Sequence, residues 1–105
     1  MSDSEFIQLA DAAFARIQQG LENADLDFEQ PTDGILEIEF DDGSKMVLNR
    51  HGSAREIWVA ARSGGFHFRH DGAAWKDTRD GSELFAKLAA LISAQGGGKV
   101  DFCRD

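Results

Sequence analysis

Five carboxylates gather where the first amphipathic segment gives way to an alternating one: Asp11, Glu22, Asp25, Asp27 and Glu29. A helical period puts Asp11 and Glu22 on one stripe, and a period of two puts Asp25, Asp27 and Glu29 on one strand face. Carboxylates held side by side repel, a cost that a bound cation relieves. An all-oxygen donor set suits hard cations: ferrous or ferric iron, and other divalent ions such as Mg²⁺, Ca²⁺ and Mn²⁺. The spacing closes no cage, so the expectation is weak binding with little selectivity. A solvated helix face and a charge-guarded edge strand account for the same residues without any ligand. Glu37, Glu39, Asp41 and Asp42 form a second acidic group, read as solvent-facing and turn residues.

Trp58 is the other chemically informative residue. If Ile57, Val59 and Ala61 face a core, Trp58 points to the opposite side of its strand, and the same alternation sets Asn49 and His67 on that side. An exposed Trp marks a contact site; one covered by cross-strand neighbours only stabilises a sheet. His67 and His70 are three apart in a strand, so they point to opposite faces and cannot share one metal. His51 lies beside a loop. Ser63-Gly64-Gly65 is a turn rather than a phosphate loop, since no helix follows it. No nucleophile–base pair is visible from spacing, and Cys103, without an activating neighbour, reads as an inert thiol.

The chain of 105 residues carries 19 acidic and 11 basic side chains, a formal charge of −8. That length predicts a single domain over residues 1–105. The acidity argues against nucleic-acid binding, which rests on Lys and Arg neutralising phosphates. It favours cations and basic protein partners. No apolar run approaches the ~20 residues of a membrane span, and Met1-Ser2-Asp3-Ser4-Glu5 lacks the basic start of a secretory signal. With one cysteine, the expected compartment is a reducing cytoplasm.

The elements that would position these residues follow from periodicity. Ser2 and Glu5 have capping-box spacing. Phe6, Leu9, Ala10, Ala13, Phe14, Ile17 and Leu21 then repeat at helical period. Strands are expected over 25–29, 35–40, 45–49, 56–62 and 66–70, with a short one at Trp75 and a loop from Arg50 to Ala54. Pro31 should place the first strand at an edge. Asp33-Gly34, Asp42-Gly43 and Asp71-Gly72 supply tight turns. A last helix is expected to start near Asp80 or Ser82 and to end at Gly96-Gly97-Gly98, with Val100 and Phe102 returning to the core. Tight turns make the sheet antiparallel. The predicted fold is α+β: a two-layer sandwich with the N- and C-terminal helices on one sheet face and the other face open.

In this order the residues resemble the frataxin family, and its bacterial members most. The motifs are Ser4-Glu5-Phe6 and Leu9-Ala10-Asp11, then Asp33-Gly34-Ile35-Leu36, Gly43-Ser44-Lys45 with Asn49-Arg50, Ile57-Trp58-Val59-Ala60, Gly64-Gly65-Phe66-His67-Phe68 and Trp75. They span Ser2 to Ile92, nearly the whole chain. The resemblance implies a small, non-enzymatic, monomeric iron-binding protein of iron–sulfur cluster assembly. Its implied partners are a cysteine desulfurase, whose activity it regulates, and the scaffold protein. It also implies that Asp11, Glu22, Asp25, Asp27 and Glu29 form an acidic iron-binding ridge, and that Asn49 and Trp58 lie on a partner-binding surface where His51 occupies a family Gln position. Gln18, Gln19 and Asn23 stand where bacterial relatives often carry carboxylates, so the ridge is thinner here. Ferroxidase or storage activity, and a metal-independent interaction module, are the alternatives.

Overall fold

In the computed structural model, which describes residues 1–102, the first helix (α1) runs over Asp3–Asn23. Cys103, and with it the expectation of an inert thiol, lies outside the described residues. Ser2 caps α1 with the expected reciprocal pair: its hydroxyl accepts from the Glu5 N–H at 3.1 Å, and its own N–H donates to the Glu5 carboxylate at 3.2 Å. The apolar stripe is buried as its period requires, with Ala10, Ile17 and Leu21 fully inaccessible.

Six strands follow: β1 (Asp27–Thr32), β2 (Ile35–Glu39), β3 (Lys45–His51), β4 (Glu56–Ala61), β5 (Gly64–His70) and β6 (Trp75–Asp77). Each pairs antiparallel with the next, so the sheet is a meander in sequence order. A second helix (α2, Leu84–Ala94) is the last regular element among the described residues. Leu36, Ile38, Met46, Leu48, Ile57 and Phe68 point from the sheet into one core with the apolar faces of α1 and α2. Both helices therefore lie on one face of the sheet, and its other face is uncovered, as predicted.

Several boundaries differ from expectation. β1 runs on to Thr32 past Glu29, β2 and β4 each stop one residue short, and Gly64 and Gly65 belong to β5 rather than to the turn, because they pair with Ala61 and Ala60. β3 continues through Arg50 and His51 instead of ending at Asn49, because both residues pair with β4, opposite Ile57 and Glu56. α2 begins at Leu84 rather than near Asp80 or Ser82. A bridge between Lys76 and Glu83 keeps the chain extended that far. Glu83 is the cap, its carboxylate accepting from the N–H groups of Phe85 and Ala86, while Asp80 accepts from the Ser82 N–H and from Lys87. Asp25 is not in a strand; it adopts a left-handed conformation with φ of 58° between α1 and β1.

The tail returns to the core as the apolar Val100 and Phe102 suggested: they are 7% and 4% exposed. Gly20 in α1 makes room for it, since a Cβ there would sit 2.4 Å from the Phe102 ring. Arg16 holds the same turn of the tail by donating to the Phe102 carbonyl. Gly→Ala in a helix interior ordinarily gains about 1 kcal/mol. Here Gly20→Ala should lower the melting temperature, and the same change in a Phe102→Ala background should not. A stabilised single Gly20→Ala variant would show that the tail does not pack on α1.

Candidate functional site

The site residues are brought together by register on the uncovered sheet face. Asp27 of β1 lies opposite Glu39 of β2, and Glu29 opposite Glu37. The pairing continues from Glu39 to Lys45 and from Glu37 to Val47 on β3. Four carboxylates thus occupy two adjacent strands as like-charged cross-strand pairs, an arrangement that costs stability. Lys45 lies among them and reaches Glu37 at 3.7 Å.

This pairing depends on an irregularity between Glu29 and Thr32. The tight Asp33-Gly34 turn pairs Thr32 with Ile35. Counted back without interruption, that register would set Phe28 opposite Glu39. Two β1 residues, Gln30 and Pro31, instead face Leu36 alone, which shifts the register by one and returns Phe28 to a position opposite the buried Ile38. Pro31, which has no N–H for the ladder, sits within the irregular stretch of this edge strand.

Glu22 and Asp25 approach from the helix end. The N–H of Leu26 donates to the Leu21 carbonyl and that of Asp25 to the Glu22 carbonyl, which is the Schellman pattern. Its left-handed position, usually glycine, is filled here by Asp25; α2 ends in the same pattern with Gly96 at that position. The last turn of α1 carries no basic residue. Two carboxylates therefore stand at the negative end of the helix dipole, where a cation is favoured.

Asp11 is the member the structure separates. Eleven residues at 1.5 Å each put it about 16 Å along the axis from Glu22, too far to share an ion. Its carboxylate accepts from Arg50 at 2.7 Å, and Arg50 also binds Asp33 at 3.0 Å. Arg50 folds over Gly34, where the left-handed backbone (φ 84°) begins β2. Asp11 thus ties α1 to the β1–β2 turn. Glu37 and Glu39 are the site members that sequence reasoning set aside, since seeing them beside Asp27 and Glu29 requires the bulged register. Among the described residues, no three His, Cys, Asp or Glu side chains converge as a metal cage.

Beside the acidic strands runs the row Asn49, Trp58 and His67, each opposite the next across β3, β4 and β5. Trp58 is half-buried. His51 stacks on its ring from the β3 side at 3.8 Å between centroids and 12° between planes. His67 stacks from the β5 side at 4.6 Å and 21°. The indole N–H donates to Glu56 at 2.8 Å, and Arg69 donates to the same carboxylate at 2.6 Å. Burial pushes the Glu56 carboxyl up, but these two hydrogen bonds, with the charge of Arg69 and the proximity of His67, outweigh it and hold the group below its ordinary range. The ring faces of Trp58 are covered by two imidazoles, and those imidazoles belong to the open face. His70 points to the opposite side, edge-on to Trp75 at 5.1 Å.

A family model described as a frataxin-like domain matches residues 1–98. A protein of Dechloromonas aromatica named iron-sulfur cluster assembly protein CyaY is 62% identical over 99 residues, covering 92% of this chain and 94% of its own. One of the same name from Cupriavidus taiwanensis is 45% identical over 107 residues, covering 97% and 96%. Among solved structures, a frataxin from Psychromonas ingrahamii superimposes with a TM-score of 0.91 at 35% identity, over 99% of this chain and all of that one.

The left-handed conformation of Asp25 gives a direct test of this site. Asp25→Gly should raise stability by up to about 1 kcal/mol, the roughly 1–2 kcal/mol penalty a Cβ meets in that region less the entropy glycine loses on folding, read by urea denaturation. A loss of stability would mean that the carboxylate holds the helix end together.

Proposed function

The chain belongs to the frataxin family, and from that premise we propose that it acts in iron–sulfur cluster assembly, binding iron weakly at its acidic surface and docking on a cysteine desulfurase to regulate sulfur delivery to the scaffold protein. The observation that carries this reading is the juxtaposition of Asp27, Glu29, Glu37 and Glu39 on one uncovered sheet face. Glu22 and Asp25 extend that surface at the helix end.

The electrostatics explain both uses. Repulsion between Asp27 and Glu39, and between Glu29 and Glu37, is relieved by any cation that sits between them. Because the carboxylates are exposed and do not converge, ferrous or ferric iron there keeps much of its water, and other divalent ions compete. The same surface offers a basic protein patch several charges at once. Such attraction is screened over about 8 Å at physiological salt, so docking should weaken as salt rises. Iron and the desulfurase then compete for overlapping ground, which gives iron a way to modulate the partner complex. Asn49, His51, Trp58 and His67 supply the adjoining contact surface. No catalytic role is assigned to any side chain. Among the described residues no helix is long and apolar enough to cross a membrane, and the reading places the protein in the cytoplasm as a monomer.

Asp27→Lys with Glu29→Lys converts two carboxylates of this surface to cations while leaving the buried face of β1 untouched. The double variant should bind ferrous iron and the desulfurase at least about tenfold more weakly, a loss of about 1.4 kcal/mol. Anaerobic titration calorimetry measures the first and surface plasmon resonance the second. Undiminished binding of both would refute the assignment.

A further inference from the structure

The stack of His51, Trp58 and His67 has a property that a plain aromatic contact lacks. Imidazole is the side chain whose charge ordinarily changes between pH 5 and 8. Here two of them cover one indole at 3.8 and 4.6 Å, in the centre of the proposed docking face. The charged groups around them are few. Glu56 on β4 is already shared between the Trp58 N–H and Arg69 on β5. Lys76 on β6 lies opposite Arg69. Glu37, Glu39 and Lys45 lie toward β1, and Arg50 and Arg55 are the cations nearest His51 in sequence, each occupied with Asp11 and Asp33 or with Asp3 and the Met1 carbonyl. On the covered side, His70 belongs to Trp75.

We propose that this three-ring stack is a proton-operated control on docking: protonation of His51 and His67 turns the middle of the open face cationic and weakens its hold on a basic partner. The proposal rests on the reading of that face as the partner surface.

Two local consequences follow from the geometry. His51 Nδ1 accepts from the Ala54 N–H at 3.2 Å. Adding a proton to Nδ1 leaves two donors facing each other, so that bond breaks and the 52–55 loop loses its tie to β3. Each imidazolium then lies over a face of the Trp58 ring, where the quadrupole attracts it, while the two cations repel across the indole. Glu56 stays ionised through this range, its carboxyl being held below the ordinary value. Glu56 therefore contributes nothing to the positive charge gained around Trp58, which comes from the imidazoles.

Two measurements decide the matter. In the free protein, the indole N–H resonance of Trp58 and the amide of Ala54 should move together between about pH 8 and pH 5, and both should be flat in His51→Gln with His67→Gln. The Trp75 indole serves as a control, because His70 remains beside it in the variant. With the desulfurase, the dissociation constant should rise at least about threefold from about pH 7.5 to about pH 5.5 in the native protein. That ratio should fall toward one in the double variant. A Trp58 resonance indifferent to pH overturns the control and leaves the partner reading standing. An equal pH ratio in the two proteins overturns the link to docking. No desulfurase binding at either pH overturns the partner reading and with it the docking consequence.

Discussion

A sheet covered on one face only is the constraint from which the rest follows. Both helices pack on the same side, so each strand must send alternate residues into the core and into water. On the covered side the result is conventional: Leu36, Ile38, Met46, Leu48, Ile57 and Phe68 are sealed from solvent. On the other side alternation leaves ordered, largely polar rows that no element among the described residues shields. In a six-stranded antiparallel meander these rows run straight across the strands, so each residue's neighbours are set by register rather than by proximity in sequence.

That constraint makes the acidic surface costly. A single slip of β1 would relieve the Asp27–Glu39 and Glu29–Glu37 repulsion, but it would also turn Phe28 away from the core. The bulge at Gln30 and Pro31 maintains the apolar register and thereby the carboxylate pairs. Asp25 adds a second cost, a side chain where the helix end favours glycine, and the uncompensated negative end of α1 adds a third. Costs of this kind, concentrated in one region, are what binding surfaces show when ligand and fold make competing demands. By contrast Asp11, Arg50 and Asp33 satisfy one another and join α1 to the β1–β2 turn.

Much of this was legible in the residue pattern. The Ser2–Glu5 cap, the stripe of α1, the Gly-containing turns and the open-face position of Trp58 each follow from local rules. What escaped was set by distant contacts. The continuation of β3 to His51 depends on its pairing with Glu56, and the late start of α2 on the Lys76–Glu83 bridge. The left-handed Asp25 carries a strand signature, because Asp-Leu-Asp-Phe-Glu alternates cleanly. Glu37 and Glu39 look like ordinary solvent-facing residues until the bulged register sets them beside Asp27 and Glu29 of β1.

The proposed iron surface is the paired carboxylates of β1 and β2 rather than the length of α1. An anaerobic ferrous titration followed by amide NMR tests it most directly. Signals of Asp27, Glu29, Glu37 and Glu39 should broaden or shift first, with Glu22 and Asp25, while Asp11 remains unaffected. A response centred on Asp11, or none confined to these strands at millimolar iron, would contradict it.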